Sequence, residues 1–232
     1  MRPKGLIIAL DGPAGAGKST VARELARRLG YVYVDTGAMY RVVGLLARER
    51  GIDPADGARL GELAGRVRIR FEPRPGGGQA VFADGRDVTE AIRGQEIGEW
   101  ASKVSTQGEV RECLVRHQRE VAQDGGAVLE GRDIGTVVFP DADVKFFLEA
   151  TPEERGRRRL GQLQGRGEVG NLADIVAEIA ERDRRDRSRE HSPLRCAADA
   201  ERVDSTKMSP EEVVDLLLER CRQALGLTPE KP

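Results

Sequence analysis

The stretch Leu6-Ile-Ile-Ala-Leu-Asp11-Gly-Pro-Ala-Gly-Ala-Gly17-Lys18-Ser19-Thr20 decides the fold. The apolar run from Gly5 to Leu10, read as a buried strand, is ended by Asp11. Gly12, Pro13, Ala14, Gly15, Ala16, Gly17, Lys18 and Ser19 then match G-x-x-x-x-G-K-[ST], and an amphipathic segment runs from about Lys18 to Leu29. Strand, Gly-rich turn and helix are the setting in which this pattern cradles phosphate. Glycines lack a Cβ, so the backbone can wrap a phosphate chain and aim successive N–H groups at its oxygens, and the helix N-terminus adds to the attraction. Lys18 is placed to reach the β and γ phosphates as a point charge, and the Ser19 hydroxyl to ligate the Mg²⁺ that bridges them.

Working outward, Tyr31 to Val34 reads as a second strand, so the chain opens with a βαβ rhythm. Ala127 to Glu130 and Val144 to Leu148 are further short apolar runs, and Arg202 to Asp204 is a candidate fifth strand. The expectation is a three-layer α/β fold of the P-loop NTPase type with a five-stranded parallel sheet. From Arg66 to Val88 the pattern changes to antiparallel β: Arg-Val-Arg-Ile-Arg-Phe, a Pro73 to Gly78 linker, Gln79 to Ala83, an Asp84-Gly85 turn and Arg86-Asp87-Val88. The core is thus read as residues 1–59, 103–153 and 172–226, interrupted by an insert over 60–102. A second unusual segment, 154–171, interleaves glycines with Arg155, Arg157, Arg158, Arg159 and Arg166 and is read as mobile. Residues 227–232 read as a frayed tail.

Composition narrows the class. The chain has 232 residues, 39% hydrophobic, 33% charged and 4% aromatic, with a net charge of -1. That balance excludes a membrane bundle, a collagen and a wholly disordered chain. It gives no global positive field for a nucleic-acid polyanion, so an anion must be bound locally. Cys113, Cys196 and Cys221 have neither metal-ligand nor disulfide-framework spacing. No run approaches the ~20 apolar residues of a membrane span, and the apolar run at Gly5 to Leu10 is too short for a secretory signal. A cytoplasmic protein is expected.

A phosphate loop alone allows a kinase, a switch GTPase or a mechanical ATPase. In an open parallel sheet, ligands sit outside the carboxyl ends of the strands. Asp35-Thr36-Gly37-Ala38-Met39-Tyr40-Arg41 follows the second strand, with Thr36 read as the N-cap of a helix that carries Arg41. Gly131-Arg132-Asp133-Ile134-Gly135-Thr136 follows the strand ending at Glu130. In the helix carrying Ile175 and Ile179, positions 182, 186 and 189 fall within about 40° of the same helical line. The core-facing line therefore turns ionic at Arg182, Asp186 and Arg189. Converging arginines suit an acceptor that is itself a phosphate, because a forked guanidinium grips phosphate oxygens and offsets repulsion between two polyanions. The guanine-reading N-K-x-D pattern is missing, and Asn171 is the single asparagine, which argues against a switch GTPase. His117 falls on the line of Val110, Leu114 and Val121 and reads as a packed edge residue rather than a general base.

Together these motifs resemble the bacterial cytidylate kinase family over nearly the whole chain, from Leu6 to about Leu225. Four strings carry the resemblance: Asp11-Gly12-Pro13, Asp35 to Arg41, Gly131 to Pro140, and Glu181-Arg182-Asp183-Arg184-Arg185-Asp186-Arg187. The resemblance implies a nucleoside monophosphate kinase fold, with the insert as the NMP-binding region and 154–171 as a lid. The implied reaction is ATP + CMP to ADP + CDP, with dCMP as a further acceptor. Residues 12 to 20, including Thr20, and Arg158 of the lid are implied for ATP. Ser102, Arg111 and Asp133 are implied for cytosine, Arg182 and Asp186 for the ribose, and Arg41, Arg132 and Arg189 for the acceptor phosphate, with Thr36 beside them. Lys18, Arg132 and Asp133 are the implied catalytic set, with Ser19 on the metal. Thr36 stands where many members have Ser, and keeps the hydroxyl. A monomer acting on small molecules, without nucleic acid or membrane, is expected. The rival readings are a P-loop kinase of another small metabolite, such as shikimate, with Asp35 or Asp133 as base, and a nucleic-acid-binding protein gripping phosphates through Arg184 to Arg189.

Overall fold

The computed structural model describes residues 2–74, 78–165 and 167–227. Pro75 to Gly77 of the linker, Arg166 of the lid segment and residues 228–232 of the tail lie outside the described residues. The chain begins with β1 (Ile7–Asp11), α1 (Lys18–Leu29) and β2 (Val32–Asp35). It continues through α2 (Thr36–Glu49), α3 (Gly57–Arg66), β3 (Ile69–Pro73), β4 (Gln79–Ala83), β5 (Arg86–Asp87), α4 (Gln95–Val104) and α5 (Gly108–Ala122). Then follow β6 (Ala127–Gly131), a π-helical turn (Ile134–Val138), β7 (Val144–Glu149), α6 (Pro152–Gln164), α7 (Leu172–Ser188), β8 (Glu201–Asp204) and α8 (Pro210–Ala224). Val34–Gln123 form one compact unit, and the segments before and after them form another. The predicted insert over 60–102 falls inside the former.

The flanking unit is built on a five-stranded sheet in the order β2-β6-β1-β7-β8. β1 pairs in parallel with both β6 and β7, and β7 with β8. Every residue of β1 and β6 is buried, which is why these strands read as continuous apolar runs rather than alternating ones. The register sets Asp11 level with Gly131 on one side and Phe147 on the other. The phosphate loop and the Arg132-Asp133 segment therefore leave the sheet side by side. Val21 and Leu25 of α1, with Val213 and Leu217 of α8, pack against Ile8, Leu10, Phe146 and Leu148.

The Gly- and Arg-rich segment is helical through Gln164. Thr151 caps α6 by accepting from the Glu154 N–H, and Pro152 occupies the first turn. Gly156 serves packing, since a Cβ there would lie 2.5 Å from Val176 Cγ2 of α7. The end of α7 corrects the sequence reading. Arg189 is not helical but is the extended C-cap, with φ -62 and ψ 142. Asp183, a residue outside the set read as facing the core, is buried.

The Val34–Gln123 unit has its own core, with Met39, Val43, Leu60, Val104 and Leu114 at its centre. β3, β4 and β5 form the expected antiparallel meander. At its second turn Asp84 and Gly85 both take positive φ, 50 and 85, the signature of a type I′ hairpin. Thr36 is not the N-cap of α2. The cap is Asp35, whose carboxylate accepts from the Ala38 N–H at 2.9 Å; the acidic side chain one residue earlier takes the position, and Thr36 becomes the first helical residue, buried. In α5 the buried line runs through Val110, Leu114, Gln118 and Ala122, while Val121 is exposed and His117 half-buried.

Candidate active site

Gly12, Gly15 and Gly17 take φ of 148, 76 and 93, conformations that L side chains rarely adopt. Gly12 is also pressed against β7, where a Cβ would lie 2.1 Å from the Leu148 carbonyl oxygen. Gly17 is the N-cap of α1, no side chain caps the helix, and its first turn has no acidic residue. The amino-terminal N–H groups are thus left for an anion. Lys18 is buried, and its Nζ donates to the Pro13 carbonyl at 2.7 Å. Burial first, then the Arg132 and Arg182 guanidiniums, lower its pKa to about 7, against the opposing pull of Glu130 and Asp11. Ser19 and Thr20 are exposed on the first turn of α1.

Asp11 fixes the loop to its neighbour. Its Oδ1 accepts from the Ile134 N–H at 2.8 Å and its Oδ2 from the Gly135 N–H at 2.7 Å. Burial raises its pKa to about 6 despite those two donors. The end of β1 is thereby tied to the turn that follows Arg132 and Asp133.

Those two residues meet the end of α7. Arg132 Nε lies 2.8 Å from Asp186 Oδ2, and Arg189 Nη2 lies 3.9 Å from Asp133 Oδ1. Arg189 Nε also donates to the Ser192 carbonyl at 2.5 Å. Burial opposes the Asp186 carboxylate, but Arg132, Arg182 and Arg189 outweigh it and hold its pKa below the usual value. One unit therefore gathers Lys18, Arg132, Asp133, Arg182, Asp186 and Arg189 at the carboxyl ends of β1 and β6. Arg158 engages the phosphate loop from α6: Nη1 donates to the Ala16 carbonyl at 3.3 Å and to Ser205 Oγ at 3.1 Å, and Nη2 to the Ser205 carbonyl at 2.6 Å.

The remaining predicted residues belong to the Val34–Gln123 unit. Arg41 Nη1 donates to the Ile92 carbonyl at 2.8 Å and more weakly to that of Gly94 at 3.4 Å. Gly98 packs on this guanidinium, and a Cβ there would lie 3.2 Å from Arg41 Nη2. Arg111 is buried, donates to the Ser105 carbonyl at 3.3 Å, and has its Cζ 5.4 Å from the centre of the Tyr40 ring. Ser105 Oγ in turn donates to the Ser102 carbonyl at 3.0 Å. Thr36 and Ser102 are both buried.

Several residues at these sites escaped the sequence reading. Glu130 is buried at the end of β6, accepts from the Tyr33 hydroxyl, and pulls Lys18 toward its charged form. Its signal was a carboxylate closing an otherwise apolar strand. Tyr40 beside Arg111 had no such signal, nor did the Arg155–Asp183 ion pair at 2.6 Å. Among the described residues no group of three or more His, Cys, Asp or Glu is arranged to hold a metal ion, and no helix is long and apolar enough to cross a membrane. A Mg²⁺ carried by phosphates needs no such group, because it takes one or two protein oxygens and fills its shell with phosphate and water.

A family model described as cytidylate kinase matches residues 8–223. The cytidylate kinase of Geobacter sulfurreducens is 51% identical over 226 residues, covering 97% of each chain. That of Pelotomaculum thermopropionicum is 51% identical over 213 residues, covering 92% of this chain and 94% of its own. Among solved structures, shikimate kinase from Bacteroides thetaiotaomicron aligns with a TM-score of 0.48 at 16% identity, covering 96% of this chain and 99% of that one.

Proposed function

The chain belongs to the cytidylate kinase family and phosphorylates CMP, and from that premise we propose how its residues divide the reaction. ATP is the donor, seated on residues 12 to 20, and its γ-phosphoryl group passes directly to the acceptor phosphate. Arg41, Arg132 and Arg189 bind that phosphate, Arg182 and Asp186 the ribose, and Ser102, Arg111 and Asp133 the cytosine. dCMP is a second acceptor. The acceptor phosphate is already ionised near neutral pH, so positioning and charge neutralisation supply the catalysis and no strong base is needed. Mg²⁺, when bound, neutralises charge on the donor phosphates, and the exposed Ser19 hydroxyl is the residue that would hold it. The insert over 60–102 receives the acceptor nucleotide, and 154–171 is the lid. A cytoplasmic monomer without a nucleic-acid partner completes the reading.

The observation that carries it is the gathering of Arg132, Arg182 and Arg189 with Lys18 within one unit. Truncating a buried charge that pairs with phosphate costs on the order of thirtyfold or more in affinity. Arg189→Met should therefore raise KM for CMP by that order while ATP affinity stays within about threefold. Steady-state ADP release with each substrate varied in turn provides the check, and equal losses for both substrates would overturn the assignment.

The depressed pKa of Lys18 gives a second expectation. Near pH 8 most of the nucleotide-free protein carries a neutral Lys18, since its pKa is about 7. A polyphosphate stabilises the ammonium, so ATP binding should take up close to one proton at pH 8 and almost none at pH 6. Calorimetry in two buffers of different ionisation enthalpy measures this directly. Absence of uptake at pH 8 would show that Lys18 is already charged before ATP arrives.

A further inference from the structure

Residues that bind phosphate through backbone N–H groups must turn their carbonyls elsewhere, and where the loop is partly buried those oxygens are best satisfied by protein donors. Here two arginines one helical turn apart on α6 supply them. Arg158 reaches the Ala16 carbonyl, and Arg155 Nη1 donates to the Ala14 carbonyl at 2.9 Å. The Arg155 side chain is 4% exposed, so its charge is tolerable only because its donors are occupied. Its Nε donates to the Ala150 carbonyl beyond β7 at 3.0 Å, and its Nη2 to Asp183 Oδ2 on α7 at 2.6 Å. The other carboxylate oxygen, Asp183 Oδ1, is buried and has no hydrogen-bond partner among the described residues. Arg155 thus anchors this carboxylate. Asp183 directly follows Arg182 and stands one turn before Asp186, the partner of Arg132.

We propose that Arg155 is a positioning residue that transmits the state of the phosphate loop to α7, so that donor and acceptor nucleotides bind with positive coupling through the Arg155–Asp183 pair. This rests on the reading of α7 as an acceptor-contacting helix. The Ala14 carbonyl and the Gly15 N–H belong to one peptide unit. When that N–H donates to a phosphate, the carbonyl becomes a stronger acceptor, tightening its bond to Arg155 and with it the hold on Asp183. Coupling of this kind is reciprocal, since each nucleotide must tighten the other by the same factor.

The test measures CMP affinity by calorimetry with and without a non-hydrolysable ATP analogue, in wild type, Arg155→Met, Asp183→Asn and the double variant, with melting temperature followed in each. In wild type the analogue should tighten CMP by about fivefold or more. In either single variant that factor should fall to near one, and the double variant should lose no more than the singles. A pair that served the fold alone would weaken both ligands and leave the factor intact, and that result in a folded variant would overturn the proposal. A wild-type factor of one would overturn it as well. Should Arg155→Met fail to fold, Asp183→Asn carries the measurement, because the amide keeps the shape and an oxygen to accept from Arg155 while it removes the carboxylate charge. Wild type that binds no CMP at all would bring down the reading beneath the proposal and the proposal with it.

Discussion

Lys18→Ala should lower turnover by on the order of a hundredfold or more, as loss of a preorganised group that stabilises charge in the transition state does. The melting temperature should stay level or rise. The second half of this expectation separates chemistry from folding. A lysine whose folded pKa lies near 7 against an ordinary 10.5 binds its proton less readily in the folded chain than in the unfolded one. Folding is then penalised while the unfolded lysine is charged, and stability from this group grows as pH rises from about 7 toward 10.5. Removing Lys18 removes that penalty, of which repulsion from Arg132 and Arg182 is a part. Single-turnover kinetics beside thermal denaturation at pH 7 make the comparison. A folded variant with near-normal turnover would refute the assigned role, and a variant that melts well below wild type would show that Lys18 holds the loop together.

Gly12→Ala should damage the fold itself. A methyl group there meets the Leu148 carbonyl at 2.1 Å, and the backbone stands at φ 148. The obstacle is main chain of the central sheet, so it cannot be relieved by a rotamer change. Substitutions that combine overpacking with backbone strain reach roughly 4 kcal/mol or more. For a chain of this size that corresponds to a fall of roughly 10 °C in melting temperature. Activity should fall with it, because the loop must move away from β7 to make room. Gly30→Ala is the comparison. It also has a positive φ, 67, but finds no neighbour within 4 Å, so it should cost only the conformational term of about 1 kcal/mol. Equal melting temperatures for the two variants would show that the contact with Leu148 is not limiting.

The phosphate loop was legible because its information is local: strand, glycines, lysine and helix lie within about 25 consecutive residues, and α1 runs over Lys18–Leu29 as read. Arg132, Asp186 and Arg189 were legible for a different reason. A core-facing helical line that turns ionic, and charges placed just after a buried strand, are costly unless something pairs with them. The Arg132–Asp186 bond satisfies that requirement across 54 positions of sequence. What the pattern could not supply was the identity of partners. Glu130 and Tyr33 are 97 residues apart, and Arg155 and Ala14 are 141 apart. Neither pair has a periodicity that points at the other. Thr36 shows the limit on a smaller scale, since two adjacent residues could both cap α2 and the carboxylate of Asp35 does so. Gly156 is one of the glycines interleaved with the arginines of 154–171, and nothing in that pattern shows that it lets α6 and α7 approach closely.

The cations assigned to the two nucleotides already have occupations. Lys18 rests on the Pro13 carbonyl, Arg132 on Asp186, Arg189 on the Ser192 carbonyl and Arg41 on the Ile92 carbonyl. On the proposed assignment an arriving nucleotide competes with these tenants, so wherever it takes over a donor its net gain is the difference between two sets of contacts rather than the full strength of the new one. The same tenants stand ready to reclaim the side chains once transfer is complete. On that assignment three backbone carbonyls and the Asp186 carboxylate compete with the products for the same side chains, an arrangement suited to rapid cycling rather than to retention.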